Sequence, residues 1–234
     1  MKLLLFLLTA AAALPSTIAI FLTYVPWDVP NNDVKHLTFP MNIANTPKKR
    51  GYYFAQYFLL TGQEEGTYIG LQPQDDGTIR AVFSSFVKGA TADDANCHDG
   101  SDGGPGVTCA VVFDGTHANT YNLEVRNIVG TTWNGTVIDT VTGRSMHIGT
   151  FALPTGTGLG LRWHMGFVQY LKSAPLCSEL PYTSVVFGVP TTDAGVGSLK
   201  DPYEVGDCMR QDNFSFTRTA DNRVAITVGS PPRQ

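Results

Sequence analysis

Thr120-Tyr121-Asn122-Leu123-Glu124-Val125-Arg126-Asn127-Ile128-Val129 alternates. Tyr121, Leu123 and Val125 fall on one side, and Asn122, Glu124 and Arg126 on the other. A period of two places successive side chains on opposite faces of a strand, so this segment predicts a strand with one buried and one solvated face. Leu161–Tyr170 repeats the pattern, with Leu161, Trp163, Met165 and Phe167 opposite Arg162, His164 and Val168. Working outward, strand-like segments are read at residues 34–39, 51–60, 67–72, 78–87, 107–113, 131–139, 145–151, 184–189, 214–219 and 223–228. Asp75-Asp76-Gly77 and Thr142-Gly143 supply turns between them. About a dozen short strands, recurring roughly every 10–12 residues with no long helical interval, predict an all-β antiparallel sandwich of jelly-roll or lectin-like type. No fixed-period repeat points to a propeller or a β-helix.

Met1-Lys2 followed by the apolar run Leu3 to Leu14 reads as a secretory signal over residues 1–19, cut after Ala19. Pro15, Ser16 and Thr17 interrupt the run, so it falls short of the ~20 apolar residues of a membrane span. Residues 20–32 read as a leader wrapping the sandwich, 33–228 as one β-sandwich domain and 229–234 as a flexible tail. Charged residues make up 15% of the chain, and the formal net charge of −4 falls to about −5 without Lys2. With no basic run longer than Lys48-Lys49-Arg50, nucleic acid is excluded as a partner. An extracellular, mildly acidic, aromatic-rich chain suits sugars or neutral surfaces. Asn134-Gly135-Thr136 and Asn213-Phe214-Ser215 fit the N-glycosylation pattern.

The chain has four cysteines, which permit three pairings in an oxidising compartment. The local, non-crossing choice joins Cys97 to Cys109 and Cys177 to Cys208. Between the first two lies His98-Asp99-Gly100-Ser101-Asp102-Gly103-Gly104-Pro105-Gly106-Val107-Thr108. So much Gly, Asp and Pro disfavours a helix interior or a central strand, and the stretch reads as a loop fixed at its base. Asp94, Asp99 and Asp102 supply oxygens suited to Ca²⁺. The spacing departs from the EF-hand pattern, however, and an ordered turn is the simpler reading; no cofactor is otherwise implied. If the loop touches function, it does so as a rim to a sheet face, through Asp99 or His98.

Tyr52-Tyr53, Tyr68-Ile69-Gly70-Leu71-Gln72 and Phe83-Ser84 together resemble a domain-of-unknown-function family of secreted actinobacterial and fungal proteins, in which an aromatic strand leads to a Y-x-G-x-Q strand, a turn and a strand ending in F-S. The Cys97–Cys109 stretch, the segment from Gly130 to Thr136 and the segment from Gly166 to Tyr170 are similar to features of related chains. The resemblance spans roughly residues 50–190. It implies a lectin-like β-sandwich, often beside carbohydrate-binding modules, and no particular activity.

For chemistry, the sequence offers Arg162 and His164, two residues apart on one strand face. On the concave side of a sandwich they could meet an acidic sugar, with His164 as base, Arg162 as charge neutraliser, and Tyr170 or Tyr53 as acid, the parts of a polysaccharide lyase. Glu124 and Arg126 form a similar pair on another strand, and the plainer alternative for both is a cross-strand ion pair or a solvated face. Glycoside hydrolysis needs two facing carboxylates, and on the strands Glu124 and Asp139 are the main ones. No G-x-S-x-G elbow occurs, and Gly156-Thr157-Gly158-Leu159-Gly160 precedes a strand, so it reads as a turn and not a phosphate cradle. The aromatic candidates for stacking on a sugar are Trp133, Trp163, Tyr57 and Tyr53; of these Trp163 alternates with Leu161 and Met165 and reads as core, while Trp133, next to the Asn134 sequon, reads as nearer the surface. The sequence therefore points to a secreted glycan-binding sandwich whose concave face presents Gln72, Arg80, Trp133, Arg162 and His164. A lyase, less readily a hydrolase, is the alternative, and a secreted interaction protein without a glycan ligand is the third.

Overall fold

The structure is a computed structural model that describes residues 20–31, 33–172 and 176–230. The signal reading at 1–19 and the end of the tail, 231–234, lie outside the described residues. The strands in chain order are β1 (Ile20–Asp28), β2 (His36–Asn45), β3 (Tyr52–Leu60), β4 (Thr67–Pro73), β5 (Ile79–Ser85), β6 (Cys97–Ser101), β7 (Gly104–Phe113), β8 (Thr120–Val129) and β9 (Thr132–Asp139). There follow β10 (Ser145–Ala152), β11 (Leu161–Tyr170), β12 (Thr183–Phe187), β13 (Thr191–Thr192), β14 (Gly195–Val196), β15 (Ser198–Leu199), β16 (Tyr203–Glu204), β17 (Ser215–Arg218) and β18 (Val224–Val228). Sheet I runs β15-β1-β11-β3-β4-β5-β7-β6, with β16 also on β1; sheet II runs β10-β9-β8-β2-β12-β18-β17, with β13 and β14 attached to β2. All strand pairs within them are antiparallel. The only helix among the described residues is a short 3₁₀ turn, Cys177–Glu179, so the all-β antiparallel sandwich read from the alternation is the observed fold.

The inward rows of both sheets form one apolar core, including Phe54, Phe58, Leu71 and Phe83 from sheet I and Phe39, Leu123, Val137 and Phe187 from sheet II. Three ring contacts tie the sheets together: Phe83 stacks on Phe151 at 4.4 Å, Trp27 meets Phe39 at 5.1 Å and Phe113 meets Tyr121 at 5.6 Å. Gly135 makes the first possible, because a Cβ there would come within 2.5 Å of the Phe83 ring.

Both disulfides form as the local choice predicts, Cys97–Cys109 and Cys177–Cys208. The stretch between the first pair is not a loop. It is a hairpin, β6 against β7, closed by Asp102-Gly103 with φ of 48° and 81°. Positive φ at both central residues is what a tight hairpin turn requires, and Asp-Gly supplies it. The segment read as a leader also belongs to the sheet: β1 pairs with β11 from Ile20 to Pro26. On its other side β1 has only short partners, and such near-edge strands tolerate a proline such as Pro26.

Candidate functional site

The outward face of sheet I is where this sandwich departs from an ordinary one. Register aligns three rows across it. The first holds Pro26, Met165, Tyr57, Tyr68 and Ser84; the second Tyr24, Phe167, Ala55, Gly70, Val82 and Ala110; the third Gln169 with Tyr53, and Gln72 with Arg80 and Val112. The middle row is small except at β1 and β11. Rings from the rows on either side close over it, and Tyr53, Ala55, Tyr68, Val82 and Phe167 form a second apolar cluster, separate from the inter-sheet core.

Above this cluster runs a groove of about 300 Å³. Its walls are the rings of Tyr24, Tyr53, Tyr57, Tyr68, Phe86, Trp163 and Phe167, together with Met165; its polar side chains include Gln169, Glu65 and Asp102. Several rings meet nearly at right angles, as Tyr57 with Trp163 at 5.3 Å and Tyr53 with Phe167 at 5.5 Å. Trp163 is 50% exposed, whereas Trp27 and Trp133 are buried at 1% and 2%.

A bulge explains how Trp163 reaches the groove. Leu161 pairs with Leu60 but Trp163 pairs with Leu59, so Arg162 is the extra residue. An extra residue flips the facing of whatever precedes it. Leu161 therefore points into the core, while Trp163, Met165 and Phe167 point outward into the groove. The sequence row Leu161-Trp163-Met165-Phe167 is split, and its bulky part is the exposed one.

Burial holds the Tyr53 phenol far above its ordinary range and raises those of Tyr68 and Tyr57. They are neutral hydrogen-bonding groups at physiological pH. Tyr68 Oη lies 3.0 Å from Ser101 Oγ, whereas Tyr53 Oη is buried without a hydrogen-bond partner. Partial desolvation raises the Asp102 carboxyl above the usual carboxylate range, with Arg80 and the Tyr68 hydroxyl pulling it back.

The residues singled out from sequence are scattered. Gln72 and Arg80 do stand together, with Arg80 Nη1 donating to Gln72 Oε1 at 2.8 Å. They line a second depression of about 430 Å³ that also carries Arg50 and Lys172. Arg162 donates to the Gln63 carbonyl at 3.2 Å, and His164 lies on the inward side, its ring 4.2 Å from Trp27 and its Nε2 3.7 Å from Asp28. Burial lowers the His164 pKa. Tyr170 packs on Tyr52 at 5.0 Å inside the core. Arg162, His164 and Tyr170 thus share no open surface with Gln72 and Arg80. Trp133 is core and not near the surface: in β9 it alternates inward with Gly135 and Val137, and its neighbour Asn134 faces the other way. Of the sequon residues, Asn134 donates to Thr150 Oγ1 at 3.0 Å, and Asn213 is exposed.

Asp94, Asp99 and Asp102 do not converge. Asp94 binds His147 Nε2 at 2.6 Å and the Thr150 and Asn96 amides. Among the described residues, no group of three or more His, Cys, Asp and Glu could hold a metal ion. The hairpin does rim a sheet face, but through Asp102 rather than Asp99 or His98. Glu65, Tyr24, Met165 and Phe167 were missed as groove residues. The signal that could have found them is the outward row of β3, Tyr53, Ala55 and Tyr57, whose register neighbours on β11 include Phe167 and Met165.

No protein-family model matches the sequence, and no curated protein matches it. Among solved structures, the chain is similar to scytalido-glutamic peptidase bound to a transition state analog inhibitor, at 10% identity over 92% of this chain and 99% of that one, with a TM-score of 0.49. It is also similar to SCP-B, a member of the Eqolisin family of peptidases, in complex with a tripeptide, at 10% identity over 92% and 98%, with a TM-score of 0.48. Likeness this distant assigns no residue role to the present chain.

Proposed function

We propose that this protein binds glycan along the ring-lined groove of sheet I, and that it does so as an exported protein. The observation that carries the reading is the half-exposed Trp163, braced edge-on by Tyr57 at the groove mouth. An aromatic side chain kept in water at that cost in apolar exposure is a platform for a partner with an apolar face. The face of a pyranose ring is such a partner, and polar groups at the groove edges, Gln169 among them, suit its hydroxyls. Binding is favoured over turnover because the lyase set is dispersed and the two groove carboxylates sit on separate rim turns. Export is supported by the signal pattern at residues 1–19 and by the two disulfides. Among the described residues, no helix is long and apolar enough to cross a membrane.

The test uses the tryptophans themselves. With Trp27 and Trp133 buried, the solvent-exposed part of the emission belongs to Trp163. A bound glycan is expected to shift that emission to shorter wavelength and protect it from a soluble quencher. Trp163→Ala is expected to weaken retention on a glycan array by about tenfold or more, roughly one stacking contact, while lowering the unfolding free energy by about 1 kcal/mol through the lost contact with Tyr57. Array-wide silence, or unchanged retention by the variant, would overturn the reading and leave the interaction-protein alternative.

A further inference from the structure

The groove is chemically one-sided. Its lining includes two carboxylates, Glu65 and Asp102, and no Lys, Arg or His. They stand at different places on the rim: the Glu65 charge acts on the Tyr57 phenol, and the Asp102 charge on those of Tyr53 and Tyr68. Between them the ring pairs Tyr57–Trp163, Tyr53–Tyr68 and Tyr53–Phe167 cross at 68°, 74° and 82°; the last two are buried and form the floor, and Tyr57–Trp163 is the crossed pair open at the groove mouth. Crossed rings present electron-rich faces beside edges, the arrangement that attracts a cation near a ring face. The cation acting on Asp102 is Arg80, which lies outside the groove lining and is already bonded to Gln72. The contrast with the neighbouring depression is sharp: that one carries Arg50, Arg80 and Lys172 and no carboxylate in its lining.

Resting on the glycan reading above, we infer that the ligand of this groove is a glycan bearing free amino groups, whose ammonium sits among the crossed rings with Glu65 and Asp102 as counter-charges. Sugar rings stack on Trp163 and Tyr57, and charge selects the amine over its acylated form. A neutral or acidic glycan offers these carboxylates no counter-charge and gains only the stacking.

The experiment compares two probes with one backbone: a hexamer of β-1,4-linked glucosamine, at a pH where its amines are protonated, and its fully N-acetylated counterpart. Each is titrated against the full protein by calorimetry. The free amine is expected to bind about tenfold or more tighter, with an advantage that shrinks as salt is added. Glu65→Gln combined with Asp102→Asn is expected to abolish that advantage, bringing the two hexamers to the same affinity. Asparagine tolerates the left-handed backbone that Asp102 adopts at φ 48°, so the turn is kept. Equal affinity for the two hexamers, or an advantage that survives the double variant, overturns the charge inference and leaves the groove reading standing. Binding of neither hexamer, with Trp163 emission unmoved by any neutral glycan, overturns both.

Discussion

The two sheets have inward faces of the same character and outward faces of opposite character. On sheet II, register sets Thr38 beside Glu124 and Thr136, and His36 beside Arg126 and Asn134. These groups satisfy one another: Arg126 Nη2 reaches Glu124 Oε2 at 3.2 Å, His36 Nε2 the same oxygen at 3.5 Å, and Thr136 donates to Asn134 at 3.0 Å. On sheet I the corresponding rows are tyrosine, phenylalanine, methionine and tryptophan. Both sheets had the polar option, and one declined it. Most of these side chains bury one another, Tyr53, Tyr68, Phe167 and Met165 at 4–6% exposure, and the apolar surface left in water is concentrated on Trp163 at 50%. The difference shows which half of the sandwich is scaffold and which half faces a partner.

The largest expected effect tests how the groove is framed. The Cys97–Cys109 bond closes the hairpin whose turn carries Asp102, and Cys109 itself is buried in the inter-sheet core. Replacing both cysteines by alanine is expected to lower the unfolding free energy by about 3 kcal/mol in the chain-entropy account of a loop this short. Urea unfolding measures it. The preference for amine-bearing glycan should fall with it, while stacking on Trp163, far along the sheet on β11, should persist. An unchanged urea midpoint would mean that β6 is held by its ladder alone and that the frame is not the disulfide.

Much of this contrast was legible before the structure, and what was not has identifiable causes. Period two gave the strands, and cysteine spacing gave both pairings. Facing is different, because it depends on register, and one bulge at Arg162 reverses it. Hence Trp163 was expected inside and is outside. Trp133 failed in the opposite sense, since adjacency to an exposed Asn134 on a strand means the opposite face, not a shared one. The 97–109 hairpin was hidden by its glycines, although Asp102-Gly103 is the same dipeptide signal as Asp76-Gly77, which was read as a turn. The candidate site was legible only in part: Tyr53, Tyr57 and Trp163 stand among the aromatic candidates and line the groove, whereas the polar residues sought beside them lie elsewhere. Arg162 and His164 drew attention as charges, and each is already occupied by a structural partner.

A second way to sharpen the comparison is acid. The edge of sheet II is tied by a charge, and the groove by rings that do not titrate near neutrality. Burial works to raise the Asp94 carboxyl, but the His147 hydrogen bond and the Asn96 and Thr150 amides outweigh it and hold the group below its usual range. For an acid whose folded pKa is depressed, stability is present above the unfolded value and lost as pH falls through the folded one. Asp94→Asn is therefore expected to cost about 1–2 kcal/mol at neutral pH, and the difference from the parent should vanish in strong acid. Urea unfolding at the two pH values checks this. A penalty of the same size in acid would show that Asp94 acts through packing or neutral hydrogen bonds, and the two outward faces would differ less than their residues suggest.

The smallest effect is the most direct challenge to the division into scaffold and site. Glu124 and Arg126 are the paired charges on the polar face of β8, with Arg126 about half exposed at 52% of its side chain. The two lie two residues apart on the same strand, and an ion pair with one partner in solvent contributes about 0.2–1 kcal/mol, so Glu124→Ala, Arg126→Ala and the double variant should show a coupling energy inside that range. His36 shares the Glu124 carboxylate, so the Glu124 variant should cost slightly more than the Arg126 one. Glycan retention should be untouched in all three, because nothing on that face carries a ring exposed like Trp163. Loss of retention with a stability change this small could not be blamed on unfolding. It would place ligand contacts on sheet II, and the paired charges would then be held for recognition, with the aromatic face of sheet I left to be explained by a different partner.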